Sequence, residues 1–174
     1  MKLRKMLGSV DDDSCIKLMK LIETQSIATL FSWAVSYVEV NILPVLNNHY
    51  NESEKVFNYI NQVKAYINSE VKLKDIKPVL KDLRELAKAT NDNPITQAAL
   101  RTIATACAVV TTPTNALGFT FYALATKVYH EFGLECDATF YDAKASEYYK
   151  DIVKSLEDVA ISNEENPVKV NWNC

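Results

Sequence analysis

Apolar residues recur every three or four positions along most of the chain, the spacing that places them on one face of an α-helix. The first such run extends from about Asp13 to about Asn47. It predicts one long helix or two, with Pro44 kinking or ending the last turn. Further helices are expected over residues 52–69, 74–90, 94–111 and 138–161, with one more following a turn at residues 112–115 and extending to His130. The pattern therefore predicts an all-α protein of six or seven helices.

The stretch from Thr102 to Thr126 contains no charged residue. Pro113 interrupts it, so two helices meeting at a turn are expected rather than one membrane-spanning helix of ~20 apolar residues. A helix that is apolar on all faces is buried. The expected fold class is an all-α, single-domain bundle around a buried apolar helical hairpin. No linker or repeat divides the sequence, so residues 1–174 are expected to form one domain.

Composition removes several classes of function. The chain has 3 glycines, far apart, so it cannot form the glycine-rich loops that bind nucleotides or the strained elbow of a serine hydrolase. Its net charge of −3 and pI of about 5.5 do not fit nucleic-acid binding, which favours strongly basic domains. The four cysteines form no C-x-x-C pair, and the basic N-terminus lacks the apolar core of a signal peptide. We expect a cytoplasmic protein with reduced thiols and no membrane contact.

The two histidines give little support for metal or acid–base chemistry. His49 precedes Glu52 by three residues, but zinc sites need three or four protein ligands and no third is signalled by the spacing. His130 is expected in the last turn of a helix, where histidine complements the helix dipole. We predict no metal, no cofactor and no catalytic residue.

The segment from Thr111 to Asn115 is the first candidate binding site. Its polar side chains include Thr112 and Thr114, and a helix start with unpaired N–H groups follows them between two apolar helices. Two interpretations remain open. Thr114 or Asn115 caps the second helix while the others satisfy the turn, or the turn holds an anion or polar ligand.

The last residues form the second candidate. A polar break at residues 162–166 leads to an extended tail, so the C-terminal segment is taken as residues 163–174. It carries Val168, Val170 and Trp172 in alternation, and free tails rarely carry such an apolar strip. We expect this segment to dock on the body of the domain or on a partner, with Trp172 as a contact residue.

Several runs of sequence together resemble a known family. They are LMKLIETQS (18–26) with the later Trp33 and Tyr37, DNPITQAALRTIATA (92–106), TPTNALGFTFYALAT (112–126) and NPVKVNWNC (166–174). Over nearly the whole chain they resemble bacterial immunity proteins associated with polymorphic toxin systems. In those relatives histidines flank the TPT turn, where this chain has Thr111 and Asn115.

The resemblance implies an all-α domain whose role is to bind and neutralise a toxin protein. Because the flanking histidines are absent here, a binding or structural role is expected rather than metal or acid–base chemistry. The leading hypothesis is a non-catalytic immunity protein that occludes a surface of its cognate toxin. The alternative is a small helical enzyme or ligand-binding module with its site at the Thr112–Asn115 turn.

Overall fold

The computed structural model describes residues 3–173, so Met1, Lys2 and Cys174, the last residue of the predicted C-terminal segment, lie outside it. Within that range the chain forms eight α-helices and a single 3₁₀ turn (Ala108–Val110). The helices are α1 (Asp13–Ile22), α2 (Ile27–Asn41), α3 (Leu43–His49), α4 (Ser53–Ile67), α5 (Leu73–Ala89), α6 (Pro94–Cys107), α7 (Asn115–Phe132) and α8 (Ala138–Glu157). The predicted all-α, single-domain class is confirmed.

The helix count exceeds the predicted six or seven because the first apolar run is divided into three helices. The Ser26 hydroxyl accepts a hydrogen bond from the Thr29 N–H at 3.2 Å and starts α2 afresh. Further along, Pro44 has no N–H to donate to the preceding turn. Helix α2 therefore ends at Asn41, and α3 continues at an angle of 42° to it.

The hairpin of α6 and α7 lies at the centre of the domain, as predicted. The two helices pack more extensively on each other than any other pair, with α2, α3 and α5 against α6 and α8 against α7. Buried threonines satisfy their hydroxyls inside the hairpin. Thr102 donates to the carbonyl of Ala98 at 2.8 Å, and its oxygen lies 3.2 Å from that of Thr126. These bonds allow polar side chains to be enclosed without an unpaired group.

Within residues 3–173 no single helix is both long and apolar enough to cross a membrane, and only the bent pair of α2 and α3 meets that test when taken together. Two of the cysteines, Cys15 and Cys107, are fully buried. Burial raises the pKa of Cys107 to about 12. This thiol is therefore protonated at neutral pH and acts as a small apolar side chain.

Candidate protein-docking face on helix α2

The predicted turn at Thr111–Asn115 joins the 3₁₀ turn to α7 and is closed by its own hydrogen bonds. The Thr111 hydroxyl and the Asn115 side-chain amide both donate to the carbonyl oxygen of Ala108, at 3.1 and 3.3 Å. Thr114 immediately precedes α7, yet α7 has no side-chain cap. Thr114 therefore occupies the N-cap position of α7, which one interpretation gave to Thr114 or Asn115, but it makes no capping hydrogen bond through its side chain. The Asn115 side chain binds the end of the preceding turn instead.

The backbone N–H groups at the start of α7 are engaged as well. The N–H of Asn115 donates to the carbonyl of Thr112 at 3.0 Å, and that of Ala116 donates to the carbonyl of Pro113 at 2.9 Å. An anion at a helix start uses N–H groups that lack such partners. The side chains of Thr112 and Thr114 are exposed. A ligand site at this turn therefore stays a prediction.

The C-terminal segment lies across the loop between α1 and α2. The N–H of Val168 donates to the carbonyl of Gln25 at 2.8 Å. Further along, the indole N–H of Trp172 donates to the carboxylate of Glu23 at 2.7 Å. Trp172 thus contacts the α1–α2 loop, and the structure gives it no hydrogen bond with the Thr111–Asn115 turn.

Glu164 fastens this segment to the first turn of α2. Its carboxylate accepts hydrogen bonds from the Ser26 N–H at 2.7 Å, the Ser26 hydroxyl at 2.8 Å and the Thr29 hydroxyl at 2.5 Å. Burial by itself raises the pKa of Glu164, but the bonds from Thr29 and Ser26 outweigh it and hold the pKa below its ordinary value. The carboxylate also places negative charge at a helix N-terminus, where it is stabilised.

The two histidines, distant in sequence, contact each other in the folded chain. Nε2 of His49, at the end of α3, lies 3.0 Å from Nδ1 of His130 near the end of α7, with the rings almost perpendicular. The Thr96 hydroxyl donates to the carbonyl of His49 at 3.1 Å. No group of three or more His, Cys, Asp or Glu side chains suited to a metal occurs among residues 3–173. The pair therefore links the ends of two helices.

Helix α2 leaves one long face on the surface. Its inner face is buried through Leu30, Phe31, Trp33, Ala34, Val35, Tyr37 and Val38. Its outer stripe repeats every four residues and consists of Ala28, Ser32, Ser36 and Val40, of which Val40 is 72% exposed. The one charged residue of the helix, Glu39, is paired with Lys64 at 2.7 Å. We call this stripe and the two grooves beside it the α2 face.

Each groove has a volume of about 500 Å³. The α2–α8 groove is lined by Ala28, Thr29, Ser32, Trp33, Ser36, Tyr37, Val40, Asn41, Ser155 and Val159. The α2–α4 groove is lined by Ile27, Ala28, Phe31, Ser32, Tyr66, Ile67, Ser69, Val71, Lys72, Leu73 and Val110. Ala28 and Ser32 line both, so this part of the stripe is a ridge between two apolar depressions. Lys72 is the one charged residue among the described residues of either lining.

The floor of the α2–α8 groove is held in place from below. The Trp33 indole N–H donates to the Ser155 hydroxyl at 2.9 Å, and its ring meets the edge of Phe119 with centroids 5.0 Å apart. Tyr37 also packs on Phe119, and its buried hydroxyl has no hydrogen-bond partner among the described residues. Burial, and to a smaller extent the nearby Asp151 carboxylate, raises the pKa of Tyr37. The aromatic floor is therefore fixed and electrically neutral.

The α2 face was missed at the level of sequence although a signal was present. No charged residue occurs from Thr24 to Val38, and small residues recur there every four positions. A helix with that pattern cannot be divided into a core face and a solvated charged face. The meeting of His49 and His130 had no such signal, since 81 positions separate them.

Comparison with known protein families gives one match. A family model described as "Imm-5 like putative immunity protein" matches residues 20–161, which is most of the chain. Neither the comparison with curated proteins nor that with solved structures found a match. The matched range includes all of α2 to α8 and the turn at Thr111–Asn115.

Proposed function

Because the chain belongs to the Imm-5 like immunity protein family, we propose that it binds a cognate protein toxin and neutralises it without catalysis. Binding would occlude a surface that the toxin needs for its own activity. The protein would act in the bacterial cytoplasm, with no cofactor, metal, nucleic acid or membrane involved. Its partner would be the toxin alone.

One observation supports a binding role above all, namely the α2 face. Contiguous exposed apolar surface marks sites of interaction in soluble proteins, and charged residues are depleted at the centre of protein–protein interfaces. The α2 face has both properties, since the two groove linings contain one charged residue within residues 3–173. Among the described residues its surface is uncharged apart from Lys72 and carries the small polar side chains of Ser32 and Ser36. Such a surface is suited to a protein partner.

We propose that the candidate binding residues predicted from the sequence lie at the border of this face. Val110 lines the α2–α4 groove and is followed directly by Thr111, so Thr111, Thr112, Thr114 and Asn115 would border the interface. At the other side the C-terminal segment with Trp172 is bound to the loop that leads into α2. These residues would form a polar rim around an apolar centre.

Co-expression with the neighbouring gene tests the proposed function. We expect that gene product to be toxic alone, to be tolerated with this protein, and to co-purify with it. Occlusion requires about one molecule of this protein per toxin molecule, because binding follows mass action without turnover. Protection at a small fraction of that ratio would indicate catalysis. A neighbour that is harmless and forms no complex would contradict the proposal.

A further inference from the structure

From the geometry of the α2 face we infer that the toxin binds there by inserting one large apolar side chain into each of the two grooves, across the Ala28–Ser32 ridge. This inference rests on the proposed function, since it names the contact surface and the chemistry of its partner. It predicts an interface governed by shape and apolar burial, not by the net charge of −3.

The dimensions of the grooves favour two anchors rather than one flat contact. Each depression holds about 500 Å³, and the two share Ala28 and Ser32 as a common wall. Interfaces take most of their binding energy from a few large side chains in well-packed pockets. The ridge carries only a methyl and a hydroxymethyl group, so a partner backbone can approach α2 closely while its side chains reach down on either side.

The lining defines which side chains fit. Trp33 and Tyr37 form the floor on one side, and Phe31 and Tyr66 line the other. Aromatic walls of this kind match aromatic or long aliphatic side chains. Among the described residues that line the two grooves, Lys72 is the one that is charged. A basic anchor would therefore lose its hydration without touching a carboxylate in the groove lining, which is unfavourable.

The outer wall of the α2–α8 groove is held by a separate set of contacts. Val159 lines that groove and is 49% exposed. Two residues later, the backbone of Ile161 is bound by the buried side chain of Gln25. Oε1 of Gln25 accepts from the Ile161 N–H at 2.8 Å, and its Nε2 donates to the Ile161 carbonyl at 3.1 Å. The groove is thus formed before a partner arrives, which lowers the ordering cost of binding.

The test measures binding of the purified neighbouring-gene product to the full chain and to three variants. Ser36→Arg places a charge on the exposed stripe, and Ser32→Trp fills a groove from the ridge itself. Ala143→Arg, an exposed helical position on α8 outside both linings, is the matched control. Circular dichroism melts establish that each variant is folded. Ser36→Arg keeps the test valid where Ser32→Trp, at a half-buried position, fails to fold.

We expect each α2 variant to weaken binding by about thirtyfold or more, the loss typical of an interface hot spot. The control should stay within about threefold. Raising NaCl from about 50 to about 500 mM should change the wild-type affinity by less than about threefold, because long-range charge contributes little. Unchanged affinity in both α2 variants, or a steep salt dependence, would overturn the inference while leaving the proposed function intact.

A separate arm does not depend on the toxin. The dye ANS, which binds exposed apolar surface, should bind the wild type and lose fluorescence with Ser32→Trp but not with Ala143→Arg.

If the neighbouring-gene product does not bind the wild type, the proposed function fails and the inference about its partner fails with it. Failure of ANS to bind would argue against accessible grooves. Dimerisation abolished by Ser36→Arg, or adsorption to phosphatidylcholine vesicles, would assign the face to a second copy or to a membrane and overturn the inference.

Discussion

Two uncharged stretches of this chain reach opposite environments. Residues 102–126 become the α6–α7 hairpin, which other helices surround, whereas residues 24–38 become most of α2, which keeps one face on the surface. In the hairpin Thr102 and Thr126 turn their hydroxyls toward each other. On α2 Ser36 lies exposed. Lack of charge therefore marks surface that is kept from water in two ways, by the protein's own helices or, as we propose, by a partner.

The largest effect is expected from Phe119→Ala, which removes the ring joining the two regions. Phe119 is fully buried in α7 and supports both Trp33 and Tyr37. Its loss should lower the free energy of unfolding by about 3–5 kcal/mol, the usual cost of deleting a buried phenyl ring. Urea unfolding measures this value.

Val40→Ala is the matched comparison on α2. Val40 is 72% exposed, so its truncation should change the free energy of unfolding by about 0.5 kcal/mol or less. If Phe119→Ala cost less than about 1 kcal/mol, or Val40→Ala cost as much, the distinction between an enclosed and an exposed apolar region would not hold.

The sequence predicts the enclosed region better than the exposed one, for a physical reason. An uncharged stretch with Pro113 in its middle has one stable arrangement in water, a buried hairpin, so its fate follows from composition. The fate of α2 depends on which neighbours cover it. The spacing of Ala28, Ser32, Ser36 and Val40 does not show that α8 and α4 leave these residues uncovered. The grooves therefore emerge only from the packing of helices distant in sequence.

Individual hydrogen bonds explain why the helix starts at Ser26 and Asn115 differ from what the sequence predicts. Ser26 has the form of a helix cap in the sequence, but its second partner, Glu164, lies 138 positions away. Likewise, Asn115 could have capped α7, yet it is the first residue of that helix and its side-chain amide donates to the carbonyl of Ala108. Both choices depend on where a backbone carbonyl or a distant carboxylate comes to rest.

An intermediate effect is expected from Glu164→Gln, which weakens the attachment of the C-terminal segment beside the α2 face. Hydrogen bonds to a carboxylate are stronger than those to an amide, so the amide protection of Val168 should fall roughly tenfold at neutral pH. Hydrogen exchange measures it. The adjacent, exposed Glu165→Gln is the control and should leave protection unchanged.

The same attachment should respond to acid in the wild type. Since the pKa of Glu164 in the folded protein lies below its ordinary value of 4.5, the carboxylate contributes stability at neutral pH. That contribution is lost as the pH falls below 4.5 and through the folded value. Val168 protection, corrected for intrinsic exchange, should decline there in the wild type. The Glu164→Gln variant should lack this step. A step of equal size in both proteins would mean that another group controls the segment.

The smallest effect is expected at the exposed end of the hairpin. His130 is exposed, and its bond to His49 competes with water. His130→Ala should therefore change the free energy of unfolding by about 0.5 kcal/mol or less. A double-mutant cycle with His49→Ala isolates the interaction between the two rings. A coupling above about 1.5 kcal/mol would show that the pair holds α3 to α7 more firmly than surface exposure implies.

The grip of Glu164 on Ser26 and Thr29 has a consequence for the order in which the protein is made. Glu164, whose carboxylate binds the first turn of α2, and Val159, which lines the α2–α8 groove, both follow α8 in the chain. They are therefore translated after α2 has been synthesised. Chains begin to fold while they are synthesised. A nascent chain can thus assemble its hairpin core before the α2 face is complete, and the proposed recognition surface would form only after the residues that follow α8 have been translated.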